Sequence, residues 1–233
     1  MTDWKEYAKY GDLRSVIDPA DELGFKNNYL SGLHHKILSD AIGDDLKGKR
    51  VLDFGCGIGR FTQFLKDCGA SEIIGLDFCD EMLQGNAGCT RKICAPVYDL
   101  PLEDHSVDVV LSVWTMQYLD IKLLVQSVKE IERVLSDGGI VYAIEQLSNN
   151  GYGSVFPRYL SDYQLAFENF DMIYSRSLMR ERDLIVGVIR RGFIPDSYFS
   201  WLIPHHLNMT KNLDLGKSSQ YIDQFMVFKK RVL

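Results

Sequence analysis

The sequence predicts an α/β protein, a doubly wound and mostly parallel sheet with helices on both faces, and three observations point there. From Lys49 to Glu145 short apolar bursts alternate with helical patterns, as successive βαβ units require. The run Val51-Leu52-Asp53-Phe54-Gly55-Cys56-Gly57-Ile58-Gly59-Arg60 passes from a strand through a glycine turn into a helix, which lets backbone approach a ligand closely at the carboxyl end of a first strand. A second burst closes on Asp77, at the edge of the sheet where such folds place their ligands.

The expected strands are 50–54, 72–76, 93–98, 107–113 and 140–144. Between the first two, Phe61, Phe64, Leu65 and Cys68 fall on one helical stripe that Gly69 can end. Asp120 offers an N-cap to a helix carrying Ile121, Leu124, Val125, Val128, Ile131 and Leu135, with Asp137-Gly138-Gly139 as its stop. Upstream, Leu30, Leu33, His34, Ile37, Leu38 and Ala41 mark a helix, preceded by an arm that includes Tyr7, Tyr10 and Tyr29. Downstream, a helix is expected at 161–169, a strand at 170–175, a helix at 182–191 and a last strand at 221–229. The expectation is one domain, with a helical arm (1–47), a ligand-binding core (48–146) and a C-terminal part (147–233) holding an insertion near 177–220. Connections that long act as lids or recognition elements.

A length of 233 residues suits one domain with room for that insertion. With 46% apolar residues, 12 Phe and 12 Tyr, the chain has material for a substantial core. A net charge of −6 without any Lys/Arg cluster disfavours a nucleic-acid partner. Five cysteines without a C-x-x-C pair or a nearby His pattern predict reduced thiols and no metal site. Together with the charged start MTDWKEYAKYGD, they predict a cytoplasmic protein. The longest uncharged stretch, 197–210, is interrupted by Pro204 and falls short of the roughly 20 residues a membrane span needs. Oligomeric state is not legible in these features.

Asp53 sorts the possible ligands. A dinucleotide turn wants G-x-G-x-x-G/A, but Arg60 stands at the third small position. A carboxylate at the turn repels a pyrophosphate and suits a ligand bearing an ammonium group. The turn with Gly55, Cys56 and Gly57 therefore prefers a nucleoside with a cationic tail to NAD. Asp77 is placed to accept hydrogen bonds from both hydroxyls of a ribose. Asp99, before Leu100-Pro101, offers its carboxylate to an adenine amino group, and Phe78 and Leu100 offer apolar faces to the base.

Five segments stand in order: D-F-G-C-G-I-G, G-L-D-F, D-L-P-L-E-D-H-S-V-D-V-V, S-V-W-T-M-Q-Y-L and V-L-S-D-G-G. Together they resemble the class I S-adenosylmethionine-dependent methyltransferases, of the kind acting on small molecules or sugars. The resemblance covers residues 48–146. It implies a Rossmann-like sheet of about seven strands, the last antiparallel. It also implies S-adenosyl-L-methionine as cofactor and S-adenosyl-L-homocysteine as product. By position it assigns the methionine part to Asp53 and the 55–59 turn, the ribose to Asp77, the adenine to Asp99 with Leu100, and the border of the sulfonium to the stretch from Ser112 to Trp114. Family members acting on DNA bases or protein glutamine carry an Asn- or Asp-Pro-Pro-aromatic segment after the fourth strand. Here that segment is Ser112-Val113-Trp114-Thr115, so a small-molecule acceptor is expected.

A sulfonium methyl is already electrophilic, so the expected task is to align an acceptor O or N opposite the sulfur and to exclude water. An alcohol acceptor also needs a base. Glu145, past the fifth strand, and His205 and His206, in the insertion, are the catalytic candidates, with His34 and His35 behind them. Each has a structural alternative, a strand-end ion pair for Glu145 and packing or surface roles for the histidines. Two other functions stay open: an inactive cofactor-binding module acting through protein interaction, and an NAD-dependent oxidoreductase, which Arg60 and Asp53 oppose.

Overall fold

The computed structural model describes residues 3–180, 183–211, 213 and 221–232. Its strands are β1 (Arg50–Phe54), β2 (Glu72–Asp77), β3 (Arg91–Cys94), β4 (Val107–Val113), β5 (Leu135–Leu147), β6 (Phe170–Arg180) and β7 (Ile222–Lys230). They form one sheet in the order β3-β2-β1-β4-β5-β7-β6. Strands β1 to β5 pair in parallel, and β7 lies antiparallel between β5 and β6. The expected seven-stranded sheet with a reversed last strand is therefore present. Strand order reverses between β1 and β4, which opens a crevice at their carboxyl ends.

The helices are α1 (Trp4–Ala8), α2 (Phe25–Ile42), α3 (Thr62–Asp67), α4 (Asp80–Gly85), α5 (Ile121–Val134), α6 (Leu160–Ala166), α7 (Leu184–Arg190) and α8 (Phe199–Thr210). Alternate strand residues feed two cores because side chains along a strand point to opposite faces. Leu52, Ile74 and Val110 pack with Leu124, Val128 and Tyr163 from α5 and α6. Val51, Ile73 and Val109 pack with Leu33, Ile189 and Leu207 from α2, α7 and α8. Asp120 caps α5 as its sequence indicates, its side chain accepting from the N–H groups of Lys122 and Leu123.

Several boundaries differ from expectation. α5 stops at Val134, and Leu135 begins β5 by pairing with Val107. Asp137-Gly138-Gly139 then lies within β5 beside a register shift, where Gly138 takes φ +69°. β3 ends at Cys94 instead of residue 98, since the apolar run 95–98 contains Pro96 and turns away from β2. Helix α4 has six residues, too few to show a period.

The insertion near 177–220 is largely regular. It contains the end of β6, α7, a 3-10 turn and α8, while residues 181, 182, 212 and 214–220, including the start of the expected 182–191 helix, lie outside the described residues. Helix α8 occupies what its composition suggested was loop. Pro204 inside it removes a helical hydrogen bond, and burial of Ile203, His206, Leu207 and Thr210 offsets that loss. No helix among the described residues is long and apolar enough to cross a membrane.

Candidate active site

A cavity of about 690 Å³ opens at the carboxyl ends of β1, β2 and β4. The glycine turn forms its floor. Gly55 has φ +71°, and a Cβ there would overlap the side chain of Thr115, whose Oγ1 donates to Phe54 O at 3.1 Å. Gly57 has φ +53°, and its N–H donates to Asp77 Oδ2 at 2.9 Å. Asp77 Oδ1 accepts from the Cys79 N–H at 2.9 Å. One carboxylate thus ties the β1 turn to the end of β2. Burial raises the Asp77 carboxyl above its ordinary value, with the backbone donors Cys79 and Gly57 pulling against it.

Asp53 is 3% exposed, lines the cavity, and has no hydrogen-bond partner for Oδ2. Burial pushes its carboxyl up to about 8; the charge of Cys89 adds to this, Arg60 opposes it, and Asp77 adds a little more. Arg60 shares the cavity and leaves Nη1 unpartnered. Its guanidinium lies 4.4 Å from the Phe61 ring centre and 5.6 Å from that of Trp114. Burial draws it down to about 10 against the attraction of Asp53 and Asp223. A buried acid and a buried base, each with an open hydrogen-bonding position, complement the ammonium and carboxylate of an amino-acid tail. The residues present therefore fit S-adenosylmethionine.

Of the other expected cofactor residues, Cys56, Phe78 and Trp114 line the cavity. Trp114 takes φ +55°, an uncommon conformation for a bulky residue and one found at functional sites. Asp99 and Leu100 are not part of the wall. Asp99 is exposed, and Leu100 is buried in the core with its N–H donating to Glu130 Oε2 at 2.8 Å. The wall at that level is Pro96, Val97 and Tyr98, the segment that leaves the sheet early. Ser112 is buried behind the wall and donates to Glu145.

A family described as "Methyltransferase domain" matches residues 52–143. Over that segment the chain matches the class I S-adenosylmethionine-dependent methyltransferases, as the order of its motifs led one to expect. It is 36% identical over 115 residues to phosphoethanolamine N-methyltransferase 1 of Triticum aestivum, covering 45% of this chain and 23% of the relative. Over 130 residues it is 31% identical to demethylmenaquinone methyltransferase of Staphylococcus aureus, covering 51% of this chain and 53% of the relative. The chain thus spans between about a quarter and about half of these curated relatives. Among solved structures, phosphoethanolamine N-methyltransferase 1 of Haemonchus contortus, bound to phosphoethanolamine and S-adenosylhomocysteine, shares the fold with a TM-score of 0.67 at 18% identity. That likeness covers 99% of this chain and 48% of the other.

The three catalytic candidates sit away from the cavity. Glu145 is fully buried, and its oxygens accept from Ser112 Oγ at 2.7 Å, the Thr115 N–H at 3.3 Å and the Gln117 N–H at 3.1 Å. It holds the loop that carries Trp114. His206 is buried between Tyr29, whose hydroxyl is 2.7 Å away, and Asp183 at 3.1 Å. His205 is exposed and packs on Trp201. Both histidines belong to α8, which covers the α2 side of the sheet. His34 meets the ring of Trp114 edge-on at 5.0 Å, and His35 packs on Phe61. Replacing His206 with Ala should lower the melting temperature by roughly 5–10 °C through the loss of two buried partners, with the pH profile of turnover unchanged. A shifted profile at unchanged stability would restore a catalytic role.

Sequence reasoning used Arg60 only as an objection to a dinucleotide, although its place right after the turn was visible. Trp4, Tyr118 and the 153–157 loop reach the cavity only through tertiary packing. Trp4 meets Tyr118 edge-on at 5.1 Å, and Lys5 pairs with Glu81 at 2.9 Å, which seats α1 over the opening.

Proposed function

We propose that the protein transfers a methyl group from S-adenosylmethionine to a nitrogen or oxygen of a small-molecule acceptor, sugar-like or natural-product-like, by in-line displacement. The observation that carries this is the pairing of an open Asp53 Oδ2 with an open Arg60 Nη1 in the same cavity as Asp77. When bound, the cofactor supplies a methyl group made electrophilic by its sulfonium. Asp53 and Arg60 would hold the amino-acid tail and Asp77 the ribose hydroxyls, while Phe78, Pro96 and Val97 offer apolar contact to the base. Trp114, Tyr118, Leu119 and Phe156 form an apolar rim that excludes water and orients an acceptor.

The wall also narrows the acceptor. Among the described residues it holds no His and no Glu, and the Tyr118 hydroxyl is raised by burial to about 12. With Asp53 and Asp77 facing the cofactor, no carboxylate or imidazole of the described wall remains to deprotonate an ordinary alcohol. An unprotonated amine, or a hydroxyl that is already acidic, fits best. Arg60 is the only Lys or Arg among the described wall residues and is drawn to Asp53, which disfavours a phosphorylated acceptor. The small acceptors named for the two curated relatives, phosphoethanolamine and demethylmenaquinone, support the small-molecule class.

Calorimetry with S-adenosylhomocysteine tests the site, and Asp77→Ala should lower affinity at least tenfold. A screen of amines, phenols and sugars with isotopically labelled cofactor tests transfer. Tight binding without turnover of any acceptor would favour the inactive binding module.

A further inference from the structure

We propose that Cys56 and Cys89 are a peroxide-sensitive thiol pair whose disulfide disables the cofactor turn. The proposal rests on the assignment of that turn to S-adenosylmethionine. Cys56 lies in the turn itself, and Cys89 lies in the segment between α4 and β3, half-buried. Gly75 of β2 makes their meeting possible. A Cβ on Gly75 would collide with Cys89 Sγ and stand 3.1 Å from Cys56 Sγ, so the space left by the missing side chain is filled by both sulfurs.

The surroundings tie this pair to the turn. Asn86 is 1% exposed, its Nδ2 donates to Cys56 Sγ at 3.5 Å, and its side chain fills the place of a Cβ on Gly59. Thr62 Oγ1, at the start of α3, donates to Asn86 Oδ1 at 3.1 Å and lies 3.7 Å from Cys89 Sγ. Movement of either sulfur therefore reaches Gly57, Gly59 and the first turn of α3. The two thiols also differ in reactivity. The hydrogen bond from Cys56 lowers Cys89, with Thr62, Asn86 and Lys92 assisting against its burial. The same contact, with burial, raises Cys56. Cys89 is the reachable thiolate and Cys56 the protonated thiol behind it.

With hydrogen peroxide as oxidant the chemistry closes. The Cys89 thiolate attacks one peroxide oxygen, the O–O bond breaks, and Cys89 becomes a sulfenic acid as hydroxide leaves and takes up the proton that Cys89 released on ionising. Cys56 sulfur then attacks Cys89 sulfur and gives up its proton, the S–O bond breaks, and hydroxide leaves to become water. Two thiols have lost two electrons, and one peroxide has become two waters. A disulfide demands a sulfur separation of about 2.05 Å, so Cys56 must leave Asn86 and draw the turn with it.

The test exposes the full chain to hydrogen peroxide, alkylates free thiols and maps the cross-linked peptides. The same samples are followed by amide hydrogen exchange over 55–62 and by S-adenosylhomocysteine calorimetry. A Cys56–Cys89 cross-link, altered exchange confined to that turn and at least tenfold weaker binding, all reversed by dithiothreitol, are expected. Peroxide-treated Cys89→Ser should keep the affinity of the reduced protein. Absence of the cross-link, or a cross-linked protein with unaltered exchange at the turn, overturns the proposal. If the reduced protein failed to bind S-adenosylhomocysteine, the functional assignment would fall and the disabling of a cofactor turn with it, and cross-link mapping would show that failure to be separate from thiol chemistry.

Discussion

Asp53→Asn should raise the melting temperature of the ligand-free protein and lower its S-adenosylhomocysteine affinity about a hundredfold. The folded carboxyl holds its proton up to about pH 8 because burial penalises the charge, against an ordinary value of 3.8. Between those values the folded state binds more protons than the unfolded chain, so this group's contribution to stability is fully present below about pH 4 and declines as pH rises through 8. An amide has the same shape and no charge to bury. The gain in melting temperature should therefore be small at pH 5 and large at pH 8, where the wild type carries a desolvated carboxylate. Glu145 and Asp223, each pushed up by burial to about 7, impose the same slope on both proteins, and the difference between the two isolates Asp53. Ligand binding should show the opposite face of this cost. An ammonium group needs the ionised carboxylate, so below pH 8 binding releases a proton and affinity climbs with pH. Unchanged affinity in Asp53→Asn would remove the tail-binding role altogether.

Glu145→Ala should lower the melting temperature by about 10 °C or more. Truncation strands the Ser112 hydroxyl and the Thr115 and Gln117 N–H groups in a dry site, a loss of about 3–5 kcal/mol. Glu145→Gln keeps acceptor capacity and should be milder. In both variants turnover should fall with the folded fraction and with the loosening of the Trp114 loop, while the pH optimum stays in place. A base would behave otherwise: its removal would reduce kcat by orders of magnitude, erase the acidic limb of the pH profile and leave melting untouched. Circular-dichroism melts beside a pH–rate profile separate these outcomes.

The parts of the site legible in the chain are those whose physics is local. The Asp53 to Arg60 run declares a strand, a tight turn and a helix start within ten residues, and a carboxylate at that turn favours a ligand with an ammonium group over a pyrophosphate. Asp77 is equally local, since it simply ends the next strand. The cap on α5 and the alternating pattern of β1 to β5 follow from periodicity and one side-chain hydrogen bond. The C-terminal region is not of this kind. Helix α8 carries apolar residues around most of its surface and a proline inside, so no period marks it. Its histidines acquired their roles from Tyr29 on α2 and Asp183 before α7, far away in sequence.

Tertiary packing also decided which side of a residue faces the ligand. Asp99 has the composition of a base-binding loop, yet β3 ends four residues before its expected end, and Val97 takes the wall while Asp99 faces solvent. Glu145 lies at a strand end beside the crevice, but three donors from the neighbouring β4 loop turn it inward. The sequence alone carried the resemblance to the family, the cofactor that this resemblance implies and the glycine turn proposed to receive it, because short-range backbone geometry and a single misplaced charge suffice for those. The tertiary structure decided the acceptor end and the absence of the candidate bases from its described wall, because a side chain's surroundings depend on neighbours that the chain brings together only on folding.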